Sequence, residues 1–132
     1  MAVKLTQELR DFISRREVVK VIATINEDGS PNIGPKGSTH VYDDESLAYA
    51  EVTGKHHYHN VRRNTHVAIA CIDWQKGEGY RFVGEAELHE AGDVFDQVAG
   101  RLPSHIKPKA AVRIPIREVY GLGGAQAGEK LL

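Results

Sequence analysis

Short runs of β-branched residues, each ended by turn residues, constrain the fold of this chain more than any other feature. Residues 18–26 (VVKVIATIN) predict a strand, and the EDGS sequence at 27–30 predicts the turn of a hairpin. Extended segments are predicted next at 31–42 and 46–53, and glycine and proline interrupt the first of them. The first half of the chain therefore favours antiparallel pairing between neighbouring strands.

The second half of the chain adds further predicted strands, and the chain as a whole also contains two predicted amphipathic helices. The spacing of apolar residues predicts helices over 5–16 and 93–102. Residues 66–74 are apolar on both faces, which indicates a strand buried on both sides. In the last predicted strand, Pro115 indicates a sheet edge or a bulge. The further strands are predicted at 80–90 and 110–122.

The order of elements is helix, three strands, short helix, two strands, helix and strand. This order predicts a mainly β fold with flanking helices, built as a six-stranded antiparallel barrel, because the strands do not alternate with long helices. The chain has 132 residues and contains no linker or internal repeat, so one domain over 1–132 is expected.

Composition narrows the classes of partner. The net charge of −1 provides no overall field for nucleic acid or an anionic membrane. The single cysteine, Cys71, excludes an internal disulfide framework and a zinc site made of cysteines alone. The sequence shows no signal peptide and no apolar run long enough to span a bilayer, so we expect a cytoplasmic protein.

The stretch TGKHHYHNVRRN at 53–64 concentrates histidine and basic residues. A metal site would use His56 and His59, which share a helical face, but no H-E-x-x-H pattern or neighbouring cysteine supports it. A nucleic-acid patch would need stacking aromatic residues beside the charges, and the stretch has none in series. Both interpretations are therefore weaker than a small-anion site.

A phosphate site at this stretch has a direct physical basis. A helix that begins after Gly54 presents unpaired backbone N–H groups and the positive end of its dipole to a ligand. Lys55, His56 and His57 add charge and donors, and Asn60 can fix the turn or reach the ligand. A solvated helix without a ligand is the competing interpretation, and the stretch alone leaves both open.

A second stretch, NIGPKGSTHVY at 32–42, favours a bound ligand. Glycine and proline break its extended backbone, and it then offers Lys36, Ser38 and Thr39. Exposed backbone amides with hydroxyls and one cation suit a flat ligand that lies against strand edges. A hairpin with a bulge would give the same pattern without a ligand.

Together the two stretches resemble the FMN-binding split-barrel family, which includes pyridoxamine 5′-phosphate oxidases and small FMN-binding proteins. The N-terminal helix, VVKVIATINEDGSPNIGPKGSTHVYDDESLAYAE, GKHHYHNVRRNTHVAIA and GYRFVGEAELH follow the family's order over about residues 8–120. The resemblance implies a six-stranded antiparallel split β-barrel and a homodimer with FMN at the subunit interface.

The resemblance also implies roles for particular residues. The ring and ribityl chain would lie along Pro35, Lys36, Gly37 and Ser38, with Ala50 and Glu51 on the neighbouring strand. The phosphate would be held by Lys55, His56, His57 and Asn60. A partner residue would cover the ring, and Trp74 and Tyr80 are the candidates, each with plain packing as its alternative.

Two departures from the family pattern matter. His56 and His57 stand where the family often has a basic residue followed by serine or threonine, and the C-terminal GGAQAGEKLL lacks the arginine-containing substrate motif of the vitamin B6 oxidases. Oxidation of pyridoxamine phosphate is therefore not expected. The Gly-rich segment 121–128 is interpreted as a flexible tail or a strap over a partner subunit.

The expected function is an FMN-dependent oxidoreductase or electron carrier that acts on a small substrate. No side chain in the sequence is an obvious catalytic acid, base or nucleophile. The alternative is a protein without flavin on the same barrel, which would bind haem or a metal through histidine. The candidate histidines for that alternative are His40, His56, His57, His59 and His66.

Overall fold

The computed structural model describes residues 1–132. The helices are α1 (Gln7–Ser14), α2 (His56–Arg63) and α3 (Asp93–Ala99), and a short 3-10 turn covers Gly124–Gln126. The strands are β1 (Val19–Ile25), β2 (Pro31–Pro35), β3 (His40–Asp43), β4 (Ser46–Glu51), β5 (His66–Asp73), β6 (Glu78–Glu85), β7 (Glu87–His89) and β8 (Ala110–Gly121). None of the helices has the length and apolar character needed to cross a membrane.

All neighbouring strands pair antiparallel, in the order β2-β1-β5-β6-β8-β4-β3, with β7 beside β8. The predicted mainly β split barrel is confirmed, but the sheet has eight strands rather than six. The difference arises because two predicted strands each break in two. The segment 31–42 divides into β2 and β3 around a turn at 36–39, and the segment 80–90 divides into β6 and β7 at Ala86.

Of the two positions predicted for Pro115, a sheet edge or a bulge, the structure shows the bulge: the residue lies in the middle of the sheet, next to a register shift. It pairs with Ser46 of β4, and from Ile116 onward β8 pairs with β6. The register against β6 shifts between Val83 and Gly84, which is the irregularity that the proline indicated. β8 therefore bends at Pro115 and joins the two halves of the split barrel.

The core forms where α1 packs into the barrel. Thr6 accepts a hydrogen bond from the backbone N–H of Leu9 (3.2 Å) and caps the helix, which then buries Leu9, Phe12 and Ile13. Each such side chain contributes on the order of 1.5–3 kcal/mol when fully buried. α3 covers the other side of β4, where Val98 packs against small alanine side chains of β4 and β8.

Strand β1 carries a mixed inward face. Ile22 and Thr24 are buried, and Lys20 lies two residues earlier on the same face. A polar residue at each end of this face brings hydrogen-bonding groups to both ends of the strand. The sites described below are built around these two ends.

The Gly-rich segment 121–128 folds back on its own chain. Tyr120 forms a β-bridge with Lys130, and the backbone N–H of Leu131 donates to the Val119 carbonyl (2.7 Å). Leu132 packs against the main core. The interpretation of this segment as a flexible tail is therefore wrong, because the residues that follow it are bridged to β8, whereas a strap over a partner subunit stays a prediction.

Candidate functional site

Helix α2 starts directly after β4 and a tight turn at Gly54. Gly54 has a φ of +67°, a conformation that favours glycine, and a Cβ there would overlap the side chain of Lys109. Lys55 occupies the N-cap position without a side-chain hydrogen bond to the helix. The first-turn N–H groups of α2 therefore lack a side-chain cap, beside two exposed basic residues, Lys55 and His56.

The inner face of α2 is tied to β1 by a chain of hydrogen bonds. Arg63 donates to Asn60 Oδ1 (2.9 Å), and this fixes the amide so that Nδ2 faces β1. Asn60 Nδ2 then donates to Thr24 Oγ1 (3.0 Å) and to Asn26 Oδ1 (2.9 Å). Thr24 is buried, so this network anchors the helix at the end of the strand.

The same network sets the tautomer of His57. Thr24 Oγ1 already accepts from Asn60, and it lies 2.8 Å from His57 Nδ1. All partners are satisfied when the Thr24 hydroxyl donates to Nδ1, which leaves the ring proton on Nε2. Nε2 has no acceptor in the chain and lies over Gly34, where a Cβ would come within 3.4 Å of it. His57 thus presents an N–H donor to a ligand.

Burial keeps this imidazole neutral. Partial burial lowers the pKa of His57, and the charges of Lys36 and His56 lower it further, whereas Glu51 acts in the opposite direction. The neutral ring suits a donor that does not depend on its own positive charge. Phosphate binding at α2 then rests on Lys55, His56 and the helix N-terminus for charge.

Lys36 is paired within the chain, which the sequence did not indicate. Its Nζ lies 3.2 Å from Glu51 Oε1, and both side chains are largely buried. Glu51 Oε2 accepts from the backbone N–H of Gly54 (3.2 Å). The carboxylate therefore connects the turn before α2 to the loop after β2 and neutralises the Lys36 charge.

The loop at 36–39 also rests on β4. Ser38 Oγ accepts a hydrogen bond from the Ala50 N–H (2.9 Å), so its hydroxyl and the Ala50 amide are used inside the protein. Thr39 Oγ1 and the Tyr49 hydroxyl are buried without a hydrogen-bond partner. Burial raises the pKa of the Tyr49 phenol, and the Glu51 charge raises it further. Unpartnered buried hydroxyls beside this loop are acceptors and donors that a ligand can use.

The remaining histidines of the stretch, His56 and His59, lie on the outward side of α2. His56 and His59 line a polar cavity of about 560 Å³ between α2 and the β1–β2 turn, together with Asn60 and Arg63. Groups of three or more His, Cys, Asp and Glu side chains that could hold a metal ion do not occur in the structure. The cluster is therefore divided between a neutral inward donor and an outward polar surface.

The structure brings most of the predicted residues to one end of β4, with exceptions. Pro35 and Gly37 are exposed on the loop edge. Trp74 is 82% exposed and follows β5 at the end where Ile72 pairs with Val19, far along β1 from Thr24. Tyr80 packs edge-on against the Phe12 ring (4.9 Å between centroids). Within one chain, neither aromatic residue reaches the site.

Sequence reasoning missed two residues of the site, Thr24 and Lys109, and the structural role of Arg63. Thr24 and Arg63 hold Asn60 and His57, and Lys109 lies over the Gly54 turn, with its backbone N–H bonded to the Glu51 carbonyl (2.8 Å). A polar residue on the inward face of β1 was the available signal for Thr24. Lys109 is distant in sequence and had no local signal.

The chain is therefore a split-barrel protein with an uncapped, basic helix N-terminus at one end of the barrel. The family profile of pyridoxamine 5′-phosphate oxidase matches residues 5–123. An uncharacterized protein of Methanocaldococcus jannaschii is 32% identical over 133 residues, which cover 96% of this chain and 87% of that protein. The chain belongs to the pyridoxamine 5′-phosphate oxidase family, as the sequence resemblance predicted.

Solved structures share the fold along nearly the whole chain. HupZ of Group A Streptococcus is 31% identical, with a TM-score of 0.85 over 97% of this chain and 99% of that chain. A protein of Lactobacillus delbrueckii that is named for pyridoxamine 5′-phosphate oxidase is 33% identical, with a TM-score of 0.76 over 89% and 93%. An FMN-binding protein of Syntrophomonas wolfei is 17% identical, with a TM-score of 0.75 over 87% and 84%, and shows the fold alone.

Thr24→Val tests the network that holds α2. The substitution keeps the shape and removes the hydroxyl, so Asn60 Nδ2 loses an acceptor and His57 Nδ1 loses a donor. We expect a loss of about 1–3 kcal/mol in the free energy of unfolding, measured by urea titration. Thr65→Val is the matched control, because the Thr65 hydroxyl donates only to the Glu85 carboxylate at the protein surface. This substitution should change the free energy of unfolding by less than about 0.5 kcal/mol. Equal effects in both variants would contradict the network.

The buried histidines predict how stability depends on pH. Burial lowers the pKa of both His40 and His57, so the unfolded chain binds more protons than the folded one below the ordinary histidine pKa of 6.5. Stability should therefore fall as the pH is lowered from about 7 to about 5. His57→Gln should make this slope shallower, because it removes one of the two groups whose pKa burial lowers. Urea titrations at each pH measure the slope, and a slope that His57→Gln leaves unchanged would contradict the assignment.

Proposed function

We propose that this protein is a flavoprotein that binds FMN as a homodimer and serves as an oxidoreductase or electron carrier for a small substrate. The observation that carries the proposal is the uncapped N-terminus of α2, which begins at the exposed, unpaired Lys55 and carries His57, whose Nε2–H has no acceptor in the chain. Family membership and the fold shared with the FMN-binding protein of Syntrophomonas wolfei support it.

The residues at this turn fit a phosphate monoester. Lys55 and His56 are exposed and form no ion pair with a carboxylate, so their side chains are available to an anion. Lys109 adds a third basic residue whose side chain lies against Gly54. A dianion there would receive charge-assisted hydrogen bonds in addition to those from the backbone.

The ring of the flavin would lie along the loop after β2. Pro35, Lys36, Gly37 and Ser38 would form its floor, with Ala50 and Glu51 behind them. Because Glu51 already neutralises Lys36, a negative charge on the ring would compete with this carboxylate for the Lys36 ammonium group. The ion pair thus fixes the position of the Lys36 ammonium group, and the Glu51 carboxylate offsets part of its charge.

When bound, FMN supplies hydride or electron transfer, and the protein supplies binding, orientation and local charge. His57 donates to the phosphate end through Nε2, and Thr24 holds that ring in place. Glu51 fixes both the turn at Gly54 and the amine of Lys36. The site offers no activated nucleophile, which favours redox chemistry carried by the cofactor over acyl or phosphoryl transfer.

The outer face of the sheet supports the dimer. On β1, β2 and β5 this face carries apolar side chains, among them Val19 (50% exposed) and Ile33 (71% exposed). Strand β5, predicted to be buried on both faces, has three outward residues that are half-buried in one chain: Ala68, Ala70 and Ile72. A sheet that is apolar on both faces needs a cover on each, and a second copy of the chain provides it.

Flavin titrations test the phosphate assignment. Lys55→Gln/His56→Gln should weaken FMN binding by tenfold or more, because the lysine charge and an imidazole hydrogen-bond donor to the phosphate are removed. Riboflavin, which lacks the phosphate, should bind the variant and the unaltered protein equally. Lys76→Gln/His89→Gln is the control for the same change of residue types away from the site. Fluorescence quenching measures all Kd values, and an unchanged FMN affinity in the first variant would refute the assignment.

Ile33→Glu tests the interface. The new charge would lie on the apolar outer face, on the edge strand β2, and would have to be buried on association. We expect a monomer by analytical ultracentrifugation where the unaltered protein is a dimer, with weaker FMN binding. Ala91→Glu adds the same charge at an exposed loop before α3 and should leave the dimer intact. A dimeric Ile33→Glu variant would show that another surface forms the interface.

A further inference from the structure

A second cavity lies at the opposite end of the β1 inward face. It measures about 440 Å³ and opens between the loop at 36–39, the end of α1 and the segment after α3. Its lining combines four apolar residues, Ile13, Val41, Val98 and Leu102, with four polar ones, Lys20, Thr39, His40 and Arg101. Gly37 and Ser38, along which the flavin ring is proposed to lie, also line this cavity, so it adjoins the ring end of the proposed flavin site and lies away from the residues proposed for the phosphate.

The cations of this groove have no carboxylate partners. Lys20 and Arg101 take part in no ion pair, and none of the residues that line the groove is acidic. Both charges act on His40, whose pKa is lowered chiefly by burial and further by Arg101 and Lys20. The concave wall therefore has a positive potential that the protein leaves uncompensated.

Two further groups make the groove a built site rather than a charged surface. Thr39 is 3% exposed, and its Oγ1 has no hydrogen-bond partner, although buried hydroxyls are normally satisfied. His40 Nδ1 donates to the Ser38 carbonyl (2.7 Å), so the neutral ring keeps an unprotonated Nε2. The groove thus combines an unused hydroxyl, an acceptor nitrogen and two free cations.

We propose that this groove binds a small organic anion, with its carboxylate or phosphate on Lys20 and Arg101 and a neighbouring hydroxyl or amine donating to His40. The apolar residues of the lining cover the carbon skeleton of the ligand, and the Thr39 hydroxyl adds a hydrogen bond. Lys20 and Thr24 are four residues apart on one face of β1, or about 13 Å. The groove can therefore hold the substrate of the flavin. This role as a substrate site rests on the proposed function, whereas the binding of an anion to the groove is independent of it.

The test is an NMR titration of the full-length, ¹⁵N-labelled protein with inorganic phosphate and, separately, with acetate. We expect saturable shifts of the amide signals of residues 37–41. Lys20→Gln/Arg101→Gln should weaken the affinity at least tenfold, and the charge-matched Lys130→Gln/Arg117→Gln should not. The anion with the lower Kd identifies the carboxylate or phosphate class. If the double variant does not fold, Arg101→Gln alone can be used, because Arg101 is exposed. This single variant should still weaken anion binding severalfold.

Three outcomes would overturn the proposal. In the first, the amide signals of residues 37–41 do not move with either anion. In the second, both double variants weaken the anion affinity equally. In the third, the shifts are confined to residues 54–57. An FMN titration of Lys20→Gln/Arg101→Gln separates this site from the flavin site, because its FMN affinity should be unchanged. Failure of the unaltered protein to bind FMN would refute the flavin function and leave the anion site standing.

Discussion

The hydroxyl of Thr24 is the contact on which the candidate site depends. It accepts from Asn60 and lies within hydrogen-bond distance of His57, so one buried atom fixes both the position of α2 and the proton position on the imidazole. The strand supplies this hydroxyl from inside the barrel, where its hydrogen bonds are not exchanged with water. Without it, α2 would keep the Asn60–Asn26 hydrogen bond and the packing of Val61, but Asn60 would lose one acceptor and His57 Nδ1 would lose its hydroxyl donor.

A second constraint is the ion pair between Lys36 and Glu51. Buried pairs of this kind contribute little net stability, because desolvation offsets the attraction, but they fix geometry and make removal of one partner costly. Here the pair joins the loop after β2 to the turn before α2, the two segments that the sequence assigned to opposite ends of one ligand. The same carboxylate limits how much positive charge the site presents.

The sequence predicted what depends on local pattern and missed what depends on contacts between distant residues. The strand periodicity, the Asp-Gly turn and the α2 position were available from neighbouring residues. The central position of Pro115 was not, because it follows from how β8 crosses between the halves of the barrel. Glycine and proline indicated an interruption near residues 36–39, but not that β2 pairs with β1 while β3 pairs with β4. Glu51 was assigned to the ligand, yet its partner Lys36 and the role of Lys109 became visible only in three dimensions.

The most direct measurement is a long-range ¹H–¹⁵N correlation spectrum of the protein with ¹⁵N-labelled histidine near neutral pH, before and after addition of FMN. The account predicts that His57 is neutral with its proton on Nε2, and that the Nε2 resonance moves when FMN binds. A proton on Nδ1, or an imidazolium at this pH, would contradict the hydrogen-bond order through Thr24. An Nε2 resonance that FMN leaves unchanged would remove His57 from the proposed phosphate site.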